Sequence, residues 1–329
     1  MEPFKAFRIH SPAGGDDARL ETITLDELSE GDVVIRGEYS SINYKDALAG
    51  TGEGRILRRY PLVGGVDVAG TVVESGDARL EPGMKVVVNG CELSETRDGG
   101  FAEYARVPAE FVIPLPDGLD TRTAMGVGTA GFTAALAVDR MEHNGQSPAL
   151  GPIAVTGATG GVGSLAVDML SGLGYEVTAM TSKADATDYL KGLGATDIMN
   201  LKTAELGNRP LEKAIWGGAV DNLGGDVLGW LTRTVRNDGN IASIGLAAGV
   251  GLNTTVMPFI LRGVNLLGIN TVTLPRELRI RIWERIATDL RPLHLEQIAT
   301  REVGLDELAA QFPAYIAGTV TGRTIVRLQ

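Results

Sequence analysis

Apolar positions recur with two different periods along the chain, and the change from one to the other divides it. From about residue 4 to residue 120, short runs rich in Val and Ile at 33–40, 66–73 and 85–88 are separated by Gly, Pro and Asp. Runs of that kind, bounded by turn formers, predict strands and a β-dominated module. From about residue 121, apolar residues at helical spacing over 123–141, 164–173 and 278–290 alternate with short apolar runs at 152–155, 175–180, 195–199, 219–221, 239–245 and 264–269. Alternation of helices with buried-type strands implies a parallel, doubly wound sheet. The tail from about residue 300 returns to one helix and a strand at 323–328, which is expected to rejoin the first module. The expected fold class is therefore α/β: a Rossmann-type doubly wound parallel sheet over 122–300 and a β-rich domain built from 1–121 and 301–329. No internal repeat, low-complexity run or long linker interrupts that plan.

The chemistry is most legible between the run at 152–155 and the helix at 164–173, where the chain reads Gly157-Ala158-Thr159-Gly160-Gly161-Val162-Gly163. Gly160 and Gly163 fit the last two glycines of a dinucleotide fingerprint, one admitting a pyrophosphate to the backbone and the other letting helix pack on strand. Ala158 stands where the first glycine usually does, and a turn in a phosphate-free α/β protein is the competing reading. Thr159, Gly160, Gly161 and Val162 are the expected backbone contacts. About twenty residues on, the strand at 175–180 ends in Thr181-Ser182-Lys183, where an NAD site would place a carboxylate for the ribose 2′-hydroxyl. Two hydroxyls and a cation there favour a 2′-phosphate, hence NADPH, unless Lys183 is simply a solvated cation at a helix start. Leu246 follows the strand at 239–245, at the kind of strand end where open sheets take ligands.

Composition narrows the partners. A formal net charge of -11 with no basic block argues against nucleic acid and anionic membrane surfaces as partners. No run approaches membrane-spanning length, the first residues carry no signal-peptide apolar region, and a cytoplasmic protein is expected. The single cysteine, Cys91, excludes an internal disulfide and an all-cysteine zinc lobe, and is expected to be structural. His10, His143 and His294 are scattered without ligand spacing and read as surface or loop residues.

Several strings carry a resemblance: Ser41-Ile42-Asn43-Tyr44-Lys45-Asp46-Ala47-Leu48, Gly64-Gly65-Val66-Asp67-Val68-Ala69-Gly70, Gly128-Thr129-Ala130-Gly131-Phe132-Thr133-Ala134, Thr254-Thr255-Val256-Met257-Pro258-Phe259-Ile260-Leu261-Arg262 and Gly322-Arg323-Thr324. With the order of elements, the chain resembles the medium-chain dehydrogenase/reductase superfamily over its whole length. It is most similar to the zinc-independent, quinone-oxidoreductase-like branch and, within it, to the acrylyl-CoA reductase subgroup. The resemblance makes the β-rich domain a GroES-like catalytic domain. It also places Asn43 and Val66 where zinc-dependent relatives keep a cysteine and a histidine ligand, so no catalytic metal is expected.

That resemblance implies metal-free transfer of hydride from NADPH to an activated alkene, either a short 2-enoyl-CoA such as acryloyl-CoA or a quinone or enone. A cofactor-binding sensor without turnover is the reading from another class. Tyr44 is the first catalytic candidate, as a donor or by packing against the nicotinamide, with Asn43 as a second polar contact. Ile269, Asn270 and Thr271 are expected near the nicotinamide, on a strand that in related proteins builds a homodimer interface. Arg55, Arg58 and Arg59 form a basic cluster able to meet CoA phosphates, and Arg262 has the same potential; a solvated face is the alternative for each. Asp46 and Asp67 are weaker candidates, each either an acid or base or a structural carboxylate paired with Lys or Arg; for Asp67 the structural role is preferred, with Arg323 as its partner.

Overall fold

A computed structural model describes residues 2–329, the side chain of Asp16 excepted, so Met1 of the expected 1–121 segment lies outside the described residues. The chain forms two compact units. The first joins residues up to Thr129 to Thr271–Ala287 and Leu295–Gln329, and the second joins Ala130–Asn270 to Thr288–His294.

The first unit begins with β1 (Phe4–Ile9), β2 (Ala18–Ile23), β3 (Val33–Ser41), the helix α1 (Tyr44–Thr51), β4 (Leu62–Val63), β5 (Asp67–Ser75), β6 (Lys85–Asn89), β7 (Tyr104–Val107) and β8 (Ile113–Pro114). Strands β3, β5 and β6 pair antiparallel, with Ile35 opposite Val72 and Val68 opposite Val88, which packs the β-branched residues of the runs at 33–40, 66–73 and 85–88 into one core. The helix α2 (Thr121–His143) follows the expected 123–141 pattern but is broken at Gly128, whose φ of 52° and ψ of -161° are open only to glycine.

In the second unit β9 (Ile153–Thr156), α3 (Gly161–Gly172), β10 (Val177–Thr181), α4 (Thr187–Gly192), β11 (Asp197–Asn200), β12 (Trp216–Asp221), α5 (Gly225–Thr234), β13 (Val235–Ser243), α6 (Met257–Arg262) and β14 (Asn265–Gly268) alternate. The six strands lie in the order β11-β10-β9-β12-β13-β14, every pair parallel. That is the order of a doubly wound nucleotide-binding sheet. Strands β9, β10 and β12 are buried along their whole length, as strands covered on both faces must be.

The chain then returns through α7 (Arg276–Ala287), α8 (Leu295–Ile298), β15 (Arg301–Gly304), α9 (Leu308–Ile316) and β16 (Thr324–Arg327). β16 pairs with β3, Ile325 opposite Ser41 and Arg327 opposite Tyr39, and so rejoins the sheet of the first unit, as expected of the tail. Helix α1 lies on α9 because Gly50 has no side chain: a Cβ there would stand 2.3 Å from the Phe312 ring.

Candidate cofactor and active sites

In the first unit Tyr44 opens α1, with its side chain exposed, and Asn43 caps that helix. Asn43 is held on three sides. Its Nδ2 donates to Asp67 Oδ2 at 2.8 Å and to Asp46 Oδ2 at 3.3 Å, and its Oδ1 accepts from Arg323 Nη1 at 3.0 Å. Asp67 is fully buried and accepts further from Ser41 Oγ at 2.5 Å, from Thr129 Oγ1 at 2.6 Å and from the Thr129 N–H at 3.0 Å. The break at Gly128 turns that N–H toward the carboxylate, and a Cβ on Gly128 would lie 2.4 Å from Arg323 Nη2. Arg323 is the expected partner of Asp67, at 3.8 Å, and is buried. Asn43 therefore orients the first turn of α1, and Tyr44 is the group of the pair left open to solvent. Thr129 and Ser41 join this site without having been expected in it; the strings that begin at Gly128 and at Ser41 are the signals the sequence holds for them.

Asp46, also buried, has no Lys or Arg partner among the described residues: its carboxylate accepts from the N–H of Asn43 at 2.8 Å and of Val66 at 3.1 Å. Burial pushes its pKa from 3.8 up to about 7; the Asn43 N–H opposes the shift and the nearby Asp67 charge adds to it. Between the unfolded value and the folded one the native state holds the extra proton, so stability falls as pH rises through that window. The expected result is a thermal midpoint that declines from about pH 5 to about pH 8 more steeply in the wild type than in Asp46→Asn, which has no proton to lose. Circular-dichroism melts across that range measure it, and equal slopes would refute the assignment.

In the second unit the glycine turn has the form expected of a phosphate cradle. Gly157 is left-handed at φ 57°, Ala158 N–H donates to Met180 O at 3.0 Å, and Gly160 N–H returns to Gly157 O at 2.9 Å. A Cβ on Gly163 would collide with Gly157 O at 2.3 Å, whereas one on Gly160 would meet only that oxygen, at 3.4 Å. Gly163 thus allows the close helix-to-turn contact and Gly160 leaves space above the turn. Among the described residues no side chain caps α3, so its first N–H groups at Gly161 and Val162 are placed to meet an anionic group. Beneath, Thr156 Oγ1 donates to buried Asp221 at 2.7 Å and Asn222 holds Thr156 from both N–H groups, fixing the ends of β9 and β12. These features fit a dinucleotide pyrophosphate.

Thr181, buried at the end of β10, accepts the Lys183 N–H on its Oγ1 at 3.1 Å, with Ser182 exposed between them. Thr181 and Lys183 line a groove of about 380 Å³ with Thr187, Lys191, Asp197 and Asn200, a setting that fits an added phosphate. Leu246 is exposed, and Ile269, Asn270 and Thr271 run on from β14.

Other expectations divide. Arg55, Arg58 and Arg59 are all exposed, and Arg59 is in addition anchored to Thr96 O at 2.8 Å and Ser29 Oγ at 2.6 Å. Arg262 is placed as a brace: its guanidinium donates to the carbonyls of Arg233, Val235 and Glu212, which leaves it poorly disposed toward a substrate. His294 departs from an ordinary surface residue, since its backbone N–H and its Nδ1 both meet the buried Asp168 of α3, at 3.0 and 2.7 Å. Cys91 is buried, and burial pushes its thiol up to about 11, away from thiolate chemistry. A zinc ion does not fit this chain: among the described residues no three His, Cys, Asp or Glu side chains come together, and Asn43 and Val66 offer neither thiolate nor imidazole. Among the described residues no helix is long and apolar enough to cross a membrane.

With this geometry in view, the relatives are informative. Residues 29–117 match the alcohol dehydrogenase GroES-like domain, and residues 161–288 match the zinc-binding dehydrogenase family. Acrylyl-CoA reductase AcuI of Ruegeria pomeroyi is 46% identical over 95% of this chain and 95% of its own length. The quinone oxidoreductase-like YhfP of Bacillus subtilis is 45% identical over 99% of both chains, and its structure with NAD bound superposes with a TM-score of 0.95. The yhdH oxidoreductase of Salmonella enterica in complex with NADP also superposes with a TM-score of 0.95, at 41% identity over 99% of this chain and 100% of that one.

Proposed function

This chain belongs to the medium-chain dehydrogenase/reductase family, and on that premise we propose that it is an NADPH-dependent reductase of acryloyl-CoA or a similar short 2-enoyl-CoA. The observation that carries the reading is the N-terminal turn of α1. An open phenol, Tyr44, stands there on a capping residue held by Asp46, Asp67 and Arg323, with no set of metal ligands around it among the described residues. The donor set at that turn suits chemistry without a Lewis acid, which favours reduction of an activated alkene over oxidation of a simple alcohol.

Bound NADPH supplies the hydride that adds to the β-carbon of the alkene. With that hydride the electron pair of the double bond would shift toward the thioester carbonyl, and a proton taken up from solvent would join the α-carbon, leaving the saturated thioester and oxidised NADP. In this reading Thr159, Gly160, Gly161 and Val162 receive the pyrophosphate, and Thr181, Ser182 and Lys183 receive the 2′-phosphate. Leu246, Ile269, Asn270 and Thr271 border the nicotinamide. Tyr44 donates to the enolate oxygen or packs on the nicotinamide, Asn43 orients it, and Arg55 and Arg58 meet the phosphates of CoA.

We also propose a homodimer. Among the described residues β14 has a neighbour strand on one side only, and Val250, Val256, Ile260 and Leu261 expose apolar side chains in the segment before it. An open strand edge beside exposed apolar residues is a pairing surface.

Loss of NADPH absorbance with acryloyl-CoA, with crotonyl-CoA, a simple quinone and NADH as comparators, tests the function. Turnover of acryloyl-CoA that is selective for NADPH and weaker with the acryloyl thioester of pantetheine supports the proposal. Turnover of the quinone alone assigns the second reading, which the likeness to YhfP favours. NADPH binding without turnover of any acceptor assigns a sensor.

A further inference from the structure

The guanidinium of Arg279, on the first turns of α7, is buried and reaches two separate stretches of main chain. Its Nη1 donates to Asn89 O at 2.8 Å, at the end of β6. Its Nη2 donates to Thr271 O at 2.8 Å and Val272 O at 2.9 Å. One turn on, Trp283 Nε1 donates to Asn89 Oδ1 at 3.0 Å, and Trp283 is fully buried. Gly90 completes the contact, since a Cβ on it would lie 3.0 Å from Thr271 O. Burial lowers the pKa of Arg279 below the ordinary guanidinium value, so the charge is kept there at a desolvation cost that its carbonyl partners must offset. A planar fork that ties two carbonyls of one loop to a third carbonyl on a strand fixes the loop in orientation as well as position. A lysine ammonium in its place has no such fork.

We infer that Arg279, with Trp283, is a positioning residue of the reductase: it sets the main-chain path at Thr271 and Val272, and through it the fit of the nicotinamide end of the cofactor. The inference rests on the proposed reading in one respect, that Thr271 borders the nicotinamide. Neither residue need touch substrate. Their effect passes through the carbonyls they hold, and displacements of about 1 Å at a reacting centre are enough to cost about a hundredfold in rate.

The test compares two ligands of the intact protein. 2′,5′-ADP carries the adenosine and the 2′-phosphate but no nicotinamide, whereas NADPH carries both. In Arg279→Lys and in Trp283→Phe, the dissociation constant for 2′,5′-ADP is expected to stay within about twofold of the wild type while that for NADPH rises about tenfold, with Arg279→Lys the larger of the two. The same variants are expected to lower kcat more than they raise the KM of the acceptor. Parallel loss of both ligands, no change in either, or failure of both variants to fold would overturn the inference, each making the pair a plain structural brace. Failure of the wild type to turn over any acceptor would instead remove the reductase reading, and the contrast between the two ligands would still decide the role of Arg279.

Discussion

Replacing Arg323 by Met is expected to destabilise the first unit by about 3–5 kcal/mol, the range for removing one member of a buried ion pair. Arg323 donates to Gly126 O at 3.3 Å, Ile42 O at 3.0 Å, Asn43 Oδ1 at 3.0 Å and Ser41 Oγ at 2.6 Å, besides standing 3.8 Å from the Asp67 carboxylate. Methionine fills much of the volume but leaves those acceptors buried without donors and Asp67 without its countercharge, which is the costlier of the two losses. The thermal midpoint should fall by about 10 °C, with Arg323→Lys recovering only part because one ammonium cannot reach all the acceptors spread around the edge of the planar guanidinium. A double-mutant cycle with Asp67→Asn should be strongly non-additive, since either change alone abandons the same charge pair. A loss below about 1 kcal/mol for Arg323→Met would show that the network around Asp67 is under no such constraint. The consequence reaches function, because Asn43 is fixed by this network and Tyr44 stands on Asn43.

Legibility in the sequence depends on which interactions are local. The turn from β9 to α3 could be read because its demands fall on neighbouring residues: a glycine at 163 for close packing, open backbone at 160, and an uncapped helix start. The parallel sheet could be read because its central strands β9, β10 and β12 are buried along their length and its strands alternate with helices. The return of β16 to the first sheet was reachable because a short apolar run needs a partner strand, whereas the pairing of Asp67 with Arg323 came only from the family resemblance, since nothing local in the sequence connects the two. The break in α2 was hidden, since 123–141 keeps helical spacing straight through Gly128 and only the position of Asp67 shows why the helix must open there. The braces Arg279, Arg262 and His294 were also hidden. Each bonds to main chain or to a carboxylate that no local pattern connects with it, and a long polar side chain gives no periodic signal of what it will reach.

Cofactor choice is where sequence and fold part. The Bacillus subtilis relative with NAD and the Salmonella enterica relative with NADP superpose on this chain equally well, each with a TM-score of 0.95, so backbone shape does not choose the nucleotide. In the proposed reading the choice falls to the residues at the end of β10, and Lys183→Ala is expected to lower kcat/KM for NADPH by about tenfold to a hundredfold, the worth of one charge-assisted hydrogen bond, with NADH changed less than about twofold. The Lys183 N–H is held on Thr181 Oγ1, so its backbone is fixed whether or not its ammonium meets a phosphate, and the truncation should leave the loop in place. Ser182→Asp is the complementary change: a carboxylate there repels the 2′-phosphate and offers the ribose 2′-hydroxyl an acceptor, which should reverse the preference rather than merely weaken it. Steady-state kinetics with both nucleotides separate the outcomes. Equal losses for NADPH and NADH in Lys183→Ala would mean that Lys183 supports the groove and not the phosphate, and no loss for either would show that this loop cation, four residues ahead of α4, plays no part in nucleotide binding.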